Sequence, residues 1–213
     1  MKKEFLTRPD EVNVSMTVPR TEVEGPGARF ALWVQGCPFR CPGCCNPHIL
    51  EFEEKSWHSV EEVAGWILSS PGIEGVTFIG GEPFAQAEAL SKVAKIVREG
   101  GLSVMVFSGY TKKQLEKLPH AEKLLAECDI LVDGPFVEKK ASRKRRYIGS
   151  DNQRVHILSP RYAHLEGDNW PRGGDGLEIR WTGDSLSING YPHPEIQRLI
   201  ENGLKFATPI VDQ

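Results

Sequence analysis

No run of apolar residues in this chain approaches the ~20 needed to cross a bilayer as a helix. The opening stretch, Met1-Lys2-Lys3-Glu4-Phe5-Leu6-Thr7-Arg8, lacks the apolar core of a signal segment. A cytoplasmic location without a membrane partner is therefore expected. Charge excess is missing too. The formal net charge is -3 over 213 residues, so the chain as a whole has no preference for polyanions and nucleic acid is not an expected partner. Internal repeats and low-complexity tracts are absent, and the histidines at 48, 58, 120, 156, 164 and 193 show no metal-ligand spacing. Cysteine is scarce but unevenly placed. Of five residues, an odd count, four (Cys37, Cys41, Cys44 and Cys45) fall within nine positions. That clustering argues against a disulfide framework and for a metal in a reducing compartment. The hydrophobic (39%) and charged (26%) fractions are ordinary for a globular protein. The length suits one domain with an appendage and a sizeable core.

What is present centres on Gly36-Cys37-Pro38-Phe39-Arg40-Cys41-Pro42-Gly43-Cys44, directly after the apolar run Phe30-Ala31-Leu32-Trp33-Val34. Thiolates suit iron–sulfur clusters, zinc or Cu(I). A cubane held wholly by protein takes four cysteines, so three local ligands leave one iron open to a small chelating ligand, or call for a fourth ligand from elsewhere. Pro38 and Pro42 restrict the loop, while Gly36 and Gly43 permit tight turns. The alternative is zinc held by Cys37, Cys41, Cys44 and either Cys45 or His48. Cys45 otherwise reads as a packing residue, and Cys128 as a core thiol.

Residues 12–18 alternate as a half-buried strand, and 28–35 form a central one. Asn46 to Trp57 reads as a polar connector. Ser59-Val60-Glu61-Glu62 is a capping box, and Val60, Val63, Ala64 and Ile67 give the helix after it a buried face. Strand 75–79, a helix through Leu90 to Val97, strand 102–107, a helix from Thr111 broken at Pro119 and strand 130–132 follow. This alternation implies βαβ units on a parallel sheet. In such sheets ligands sit at the carboxyl ends of the strands, where Cys37 to Cys44, Gly80 to Pro83, Ser108 to Tyr110 and Asp133 all fall. Ser159 to Gly176 reads as a loop, 177–188 as a hairpin around Thr182-Gly183-Asp184, and Pro194 to Asn202 as a short helix.

The CxxxCxxC spacing resembles that of the radical S-adenosylmethionine (radical SAM) enzymes. Five further words occur in order: Glu24 to Arg29, Gly80-Gly81-Glu82-Pro83, Ser108 to Thr111, Asp129 to Phe136 and Gly149 to Arg154. Together they resemble the activating enzymes of glycyl radical enzymes, above all the activases of anaerobic ribonucleotide reductase, over roughly residues 20–158. The resemblance implies an α/β fold built as an incomplete TIM-like βα barrel, with a radical SAM core over 1–158; there it runs out, and the loop, hairpin and helix over 159–213 read as a C-terminal extension packed on the core, beyond the usual end of the small activases. It implies an oxidoreductase in which Cys37, Cys41 and Cys44 hold a [4Fe-4S] cluster. That cluster would reductively cleave S-adenosylmethionine to a 5′-deoxyadenosyl radical, which takes hydrogen from the glycine of a partner enzyme. A low-potential donor such as flavodoxin or ferredoxin is then expected. Gly80, Gly81, Glu82, Pro83, Ser108, Tyr110, Asp133 and Asn152 are the expected contacts to S-adenosylmethionine, with Glu82 accepting from its amino group.

Structural readings stand beside each of these. Pro26, Gly27 and Arg29 either support the cluster loop or make an ordinary turn with a solvated arginine. Gly-Gly-Glu can be a plain strand-to-helix turn, and Ser108, Tyr110 and Asp133 turn or rim residues. The basic run Glu138 to Arg146 is a solvated loop or a docking surface for an acidic partner. The same radical chemistry on another peptide or on RNA, a zinc-binding interaction module, and a purely electron-transferring iron–sulfur protein are the alternatives.

Overall fold

The computed structural model describes residues 8–173, 176–182 and 185–190, together with positions 195 and 198. Seven strands make one sheet: β1 (Glu11–Thr21), β2 (Arg29–Val34), β3 (Trp57–Ser59), β4 (Gly75–Gly80), β5 (Ser103–Phe107), β6 (Ile130–Asp133) and β7 (Arg154–Ile157). Their order is β3-β1-β2-β4-β5-β6-β7. The central β2, β4, β5 and β6 are parallel. Antiparallel strands complete both sides, β1 and β3 on one and β7 on the other. The crossovers carry α1 (Val60–Ser69), α2 (Ala87–Glu99), α3 (Lys112–Leu115) and α4 (Ala121–Ala126).

The sequence explains these elements locally. All six residues of β2, Arg-Phe-Ala-Leu-Trp-Val, are buried, as a strand covered on both faces requires. The expected capping box opens α1: Glu62 N–H donates to Ser59 Oγ at 3.1 Å and Ser59 N–H to the Glu62 carboxylate at 3.0 Å. Between α3 and α4 the chain breaks at Pro119, and His120 takes a left-handed φ of 62°.

One face of the sheet presents Phe30, Leu32, Val34, Val76, Phe78, Val104, Val106 and Leu131 to α1, α2 and α4. Alternate residues point the other way. There Met105, Ile130 and Val132 pack against Ile148, Tyr162 and Trp170, while Ala31 and Trp33 pack against Val18 and Ile49. The segment read as a loop after Ser159 thus holds two 3-10 turns, Pro160–Leu165 and Gly167–Asn169, and supplies core side chains from Tyr162 in the first and Trp170 just after the second. The polar connector likewise contains a 3-10 turn, Pro47–Ile49, with Ile49 buried, and ends in β3.

Arg29 is fully buried, which removes its solvated reading. Its guanidinium donates to Thr77 Oγ1 at 2.7 Å, Val76 O at 2.6 Å, Ser103 Oγ at 3.1 Å, Pro26 O at 3.2 Å and Tyr162 Oη at 3.2 Å. A buried guanidinium is tolerable only when its donors are satisfied in this way. Arg29 pairs in register with Gly75, and Gly75 with Ser103. It therefore ties the amino ends of the parallel strands, away from the cysteine loop at their carboxyl ends.

The hairpin β8 (Leu177–Thr182) and β9 (Ser185–Gly190) forms a second, antiparallel sheet. It attaches beside β1: Glu22 N–H donates to Glu178 Oε1 at 2.8 Å, Asn189 Nδ2 to Thr21 Oγ1 at 2.9 Å and Gly190 N–H to Glu24 Oε1 at 2.8 Å. The hairpin turn at 183–184 and most of the expected helix over 194–202 lie outside the described residues. Among the described residues no helix is long and apolar enough to cross a membrane.

Candidate metal centre

β2 delivers the cysteine loop at the carboxyl end of the sheet, and its parallel neighbours deliver Gly80, Ser108 and Asp133 to the same end. The loop is fastened at its base. Gly36 N–H donates to Ile49 O at 2.9 Å and Cys37 N–H to Leu50 O at 3.0 Å. Arg40 clamps it, donating to Cys37 O at 2.6 Å, Leu50 O at 3.1 Å and Glu51 Oε1 at 2.9 Å. Gly43 sits at φ 73°, and a Cβ there would lie 3.2 Å from the Phe136 ring. A side chain at this position would meet both a strained backbone and an aromatic wall.

Cys37 is buried, Cys41 and Cys44 are half-buried, and Cys45, read as a packing residue, is exposed. Burial pushes the Cys37 thiol up to about 12; the Phe39 N–H pulls it down, and the charges of Glu82, Cys41 and Cys44 push it further up. Cys41 is raised too, by burial and then by Cys44, against the N–H of Phe136. The three thiols thus lie within electrostatic reach of one another, and main-chain N–H groups point at two of the sulfurs. The upward shifts at Cys37 and Cys41 favour the protonated thiols, and a cationic centre would reverse that preference. Three soft donors with N–H groups aimed at sulfur fit an iron–sulfur cluster. Among the described residues, no three His, Cys, Asp or Glu side chains converge as ligands of a single metal ion. The zinc reading with Cys45 or His48 finds no such grouping, whereas a cubane, each iron bound by a different sulfur, spreads its ligands more widely.

The Gly80-Gly81-Glu82 turn interlocks with this loop. Gly80 has φ 102°, and a Cβ on it would sit 2.7 Å from Trp33 Cα. A Cβ on Gly81 would sit 2.2 Å from Gly36 O. The close approach these glycines permit is to β2 and the cysteine loop, where Gly81 N–H donates to Val34 O and Glu82 N–H to Gly36 O, both at 2.9 Å. Glu82 is fully buried. Its Oε1 accepts from Phe84 N–H and Ser108 Oγ, each at 3.0 Å, and its Oε2 from Gly109 N–H at 2.8 Å. Burial nevertheless outweighs those donors and pushes the carboxyl up to about 7. Oε2, with a single donor, keeps acceptor capacity for one more.

The rim follows from the same interlock. The Tyr110 and Phe39 rings meet edge-on with centroids 4.7 Å apart, and Gly109 leaves room for the Phe39 ring. Pro83 and Ser108 are buried. Asp133 is buried, accepts from Lys112 N–H at 2.5 Å and lies 3.2 Å from His156 Nε2. Asn152 donates to Pro135 O at 2.8 Å while its Oδ1 is buried without a hydrogen-bond partner. The structure thus joins Cys37, Gly80, Gly81, Glu82, Ser108 and Tyr110 in one contiguous network. Asp133 and Asn152 attach to it through Gly134, whose N–H donates to Tyr110 O at 2.9 Å. The roles of Phe39, Arg40 and Phe136 were not read from the sequence. The single cation inside an otherwise uncharged cysteine loop was the available signal for Arg40.

A mixed α/β protein with a three-thiol loop at the carboxyl end of parallel strands is the class that fold and site define. Residues 23–156 match the family described as 4Fe-4S single cluster domain. The anaerobic ribonucleoside-triphosphate reductase-activating protein of Enterobacteria phage T4 is 30% identical over 151 residues, 68% of this chain and 93% of the relative. Its namesake in Vibrio cholerae is 30% identical over 154 residues, 68% and 97% of the two chains. That of Escherichia coli strain K12 is 29% identical over 157 residues, 69% and 99%. The chain belongs to the 4Fe-4S single cluster domain family and to the family of the anaerobic ribonucleoside-triphosphate reductase-activating proteins.

Proposed function

We propose that this chain is a radical SAM oxidoreductase of the glycyl-radical-enzyme activating type, whose protein substrate is an anaerobic ribonucleotide reductase. The observation that carries the reading is the trio Cys37, Cys41 and Cys44 in one clamped loop, in a chain of this family. These residues would hold a [4Fe-4S] cluster with one iron left to S-adenosylmethionine. Bound together, the two would supply radical chemistry capable of taking hydrogen from a glycine Cα of the partner. The chain's own residues position and shield. The N–H groups of Phe39 and Phe136 favour thiolate sulfur. The remaining acceptor capacity of Glu82 suits an amino group, and Gly80, Gly81, Pro83, Ser108, Tyr110, Asp133 and Asn152 frame the same end of the sheet. Phe39 and Tyr110 keep water from the reacting end.

With its helices on one face and β7 at an edge, the sheet suits an incomplete barrel, open on a side where a loop of a macromolecule can enter. A reducing cytoplasm with flavodoxin or ferredoxin as electron donor fits the free thiols. Anaerobic reconstitution with iron and sulfide, then reduction in the presence of S-adenosylmethionine, should yield 5′-deoxyadenosine and methionine. Cys41→Ala should lower the yield by orders of magnitude. Equal product from that variant would end the reading.

A further inference from the structure

We propose that the outer edge of β7 is a docking strand for an extended acidic segment of the protein partner, which pairs main chain to main chain along it. That the segment belongs to the partner rests on the function proposed above; the pairing itself does not.

β7 is the last strand of the sheet, and among the described residues nothing pairs with its far side. Its register opposes Asp133 to Arg154, Val132 to Val155, Leu131 to His156 and Ile130 to Ile157. Ser108 N–H donates to Val132 O, so Val132 is turned toward β5; Leu158 N–H donates to Asp129 O at 2.8 Å on the other side. In an antiparallel pair, bonded and non-bonded positions alternate. Arg154, His156 and Leu158 therefore spend their main-chain groups on β6. The N–H and C=O groups of Val155 and Ile157 point outward, the pattern an added strand requires.

That edge opens on a cavity of about 450 Å³ between β7 and the turns that carry Leu165 and Trp170. Its size lies within the range of ligand pockets. Lys112, Arg145 and Arg154 stand in the lining against a single carboxylate, Glu166. Arg145 is engaged with the carbonyls of Ser150, Asp151 and Gln153. Lys112 and Arg154 have no ion pair among the described residues. In the adjoining run Lys144 pairs with Asp151 at 3.8 Å, while Arg143 and Arg146 add positive charge next to Arg145 in a chain whose formal net charge is -3. An acidic strand matches both the free main-chain groups and the local charge. Charged residues on an edge can also serve only to repel other strands, and that role predicts no binding at all.

The test uses the full chain and three fluorescein-labelled octapeptides, read by anisotropy: alternating Glu-Val, alternating Lys-Val, and Glu-Val with every second amide N-methylated. The acidic peptide should bind saturably, and the other two at least about tenfold more weakly. Val155→Pro deletes one outward N–H without touching the β6 ladder, and Arg154→Glu reverses one flanking charge. Each should weaken the acidic peptide by about tenfold. Arg154→Glu leaves every main-chain bond in place and decides the matter if the proline variant does not fold. Equal binding of the N-methylated peptide, equal binding by the variants, or no binding overturns the proposal. The reconstituted Arg154→Glu protein should still release 5′-deoxyadenosine at the wild-type rate. Binding without any such release in the wild type would strike the proposed function and leave the docking edge standing; release without binding would do the reverse.

Discussion

Single residues of this chain are held by partners far away in sequence, and that decides which substitutions hurt. Gly81 faces a carbonyl, Gly36 O, that cannot retreat because it accepts from Glu82 N–H. Gly81→Ala should therefore cost about 1–3 kcal/mol, the range for overpacked sites, and prise the 80s turn from the cysteine loop. The expected outcome is a lower urea midpoint together with less iron per chain after reconstitution. Arg29→Met leaves the carbonyls of Pro26 and Val76 without their buried donor. It should destabilise by at least about 3 kcal/mol, on the scale of broken buried charge networks, with iron binding retained in the folded fraction because Arg29 stands at the opposite strand ends. The thiols and the Gly-Gly-Glu word were legible in the sequence because they are local. The donors to Glu82 were not, since Ser108 and Gly109 arrive from another βα unit.

Among the elements, those with their own signals were the readable ones. β2 and β4 are apolar runs, and α2 repeats Leu90, Val93, Ala94 and Val97 on one face. α1 announces its start, and Ser59→Ala should cost about 1 kcal/mol through loss of the Oγ acceptor for Glu62 N–H, measured as a shift in the thermal or urea midpoint with the slope unchanged. β3 and β7 are short edge strands of three and four residues. Their sequences, Trp-His-Ser and Arg-Val-His-Ile, become strands only because β1 and β6 offer unpaired main-chain groups. No window of sequence carries that information. The same holds for the 3-10 turns after Ser159, where Tyr162 and Trp170 are buried by a core assembled from β5 and β6.

Taken whole, the molecule hangs its hairpin on a carboxyl that burial pushes up from 4.5 to about 7, that of Glu24, against the N–H of Gly190 and the side chain of Asn189. A group that binds its proton more tightly folded than unfolded stabilises the fold fully below pH 4.5. That contribution is lost as pH rises toward 7, and the loss is complete above it. The displacement corresponds to on the order of 3 kcal/mol. Unfolding of the metal-free chain should show stability falling between pH 5 and 7, and Glu24→Gln should flatten that slope relative to wild type. The clamp of Arg40 and the Gly80-Gly81 turn has a further effect at this scale. All three sulfurs come from one short span already riveted to a finished sheet, so a metal centre held there would tie no distant parts of the polypeptide together. Emptying and refilling would then be reversible acts performed on a standing frame, and the proposed cluster could be lost without dismantling it.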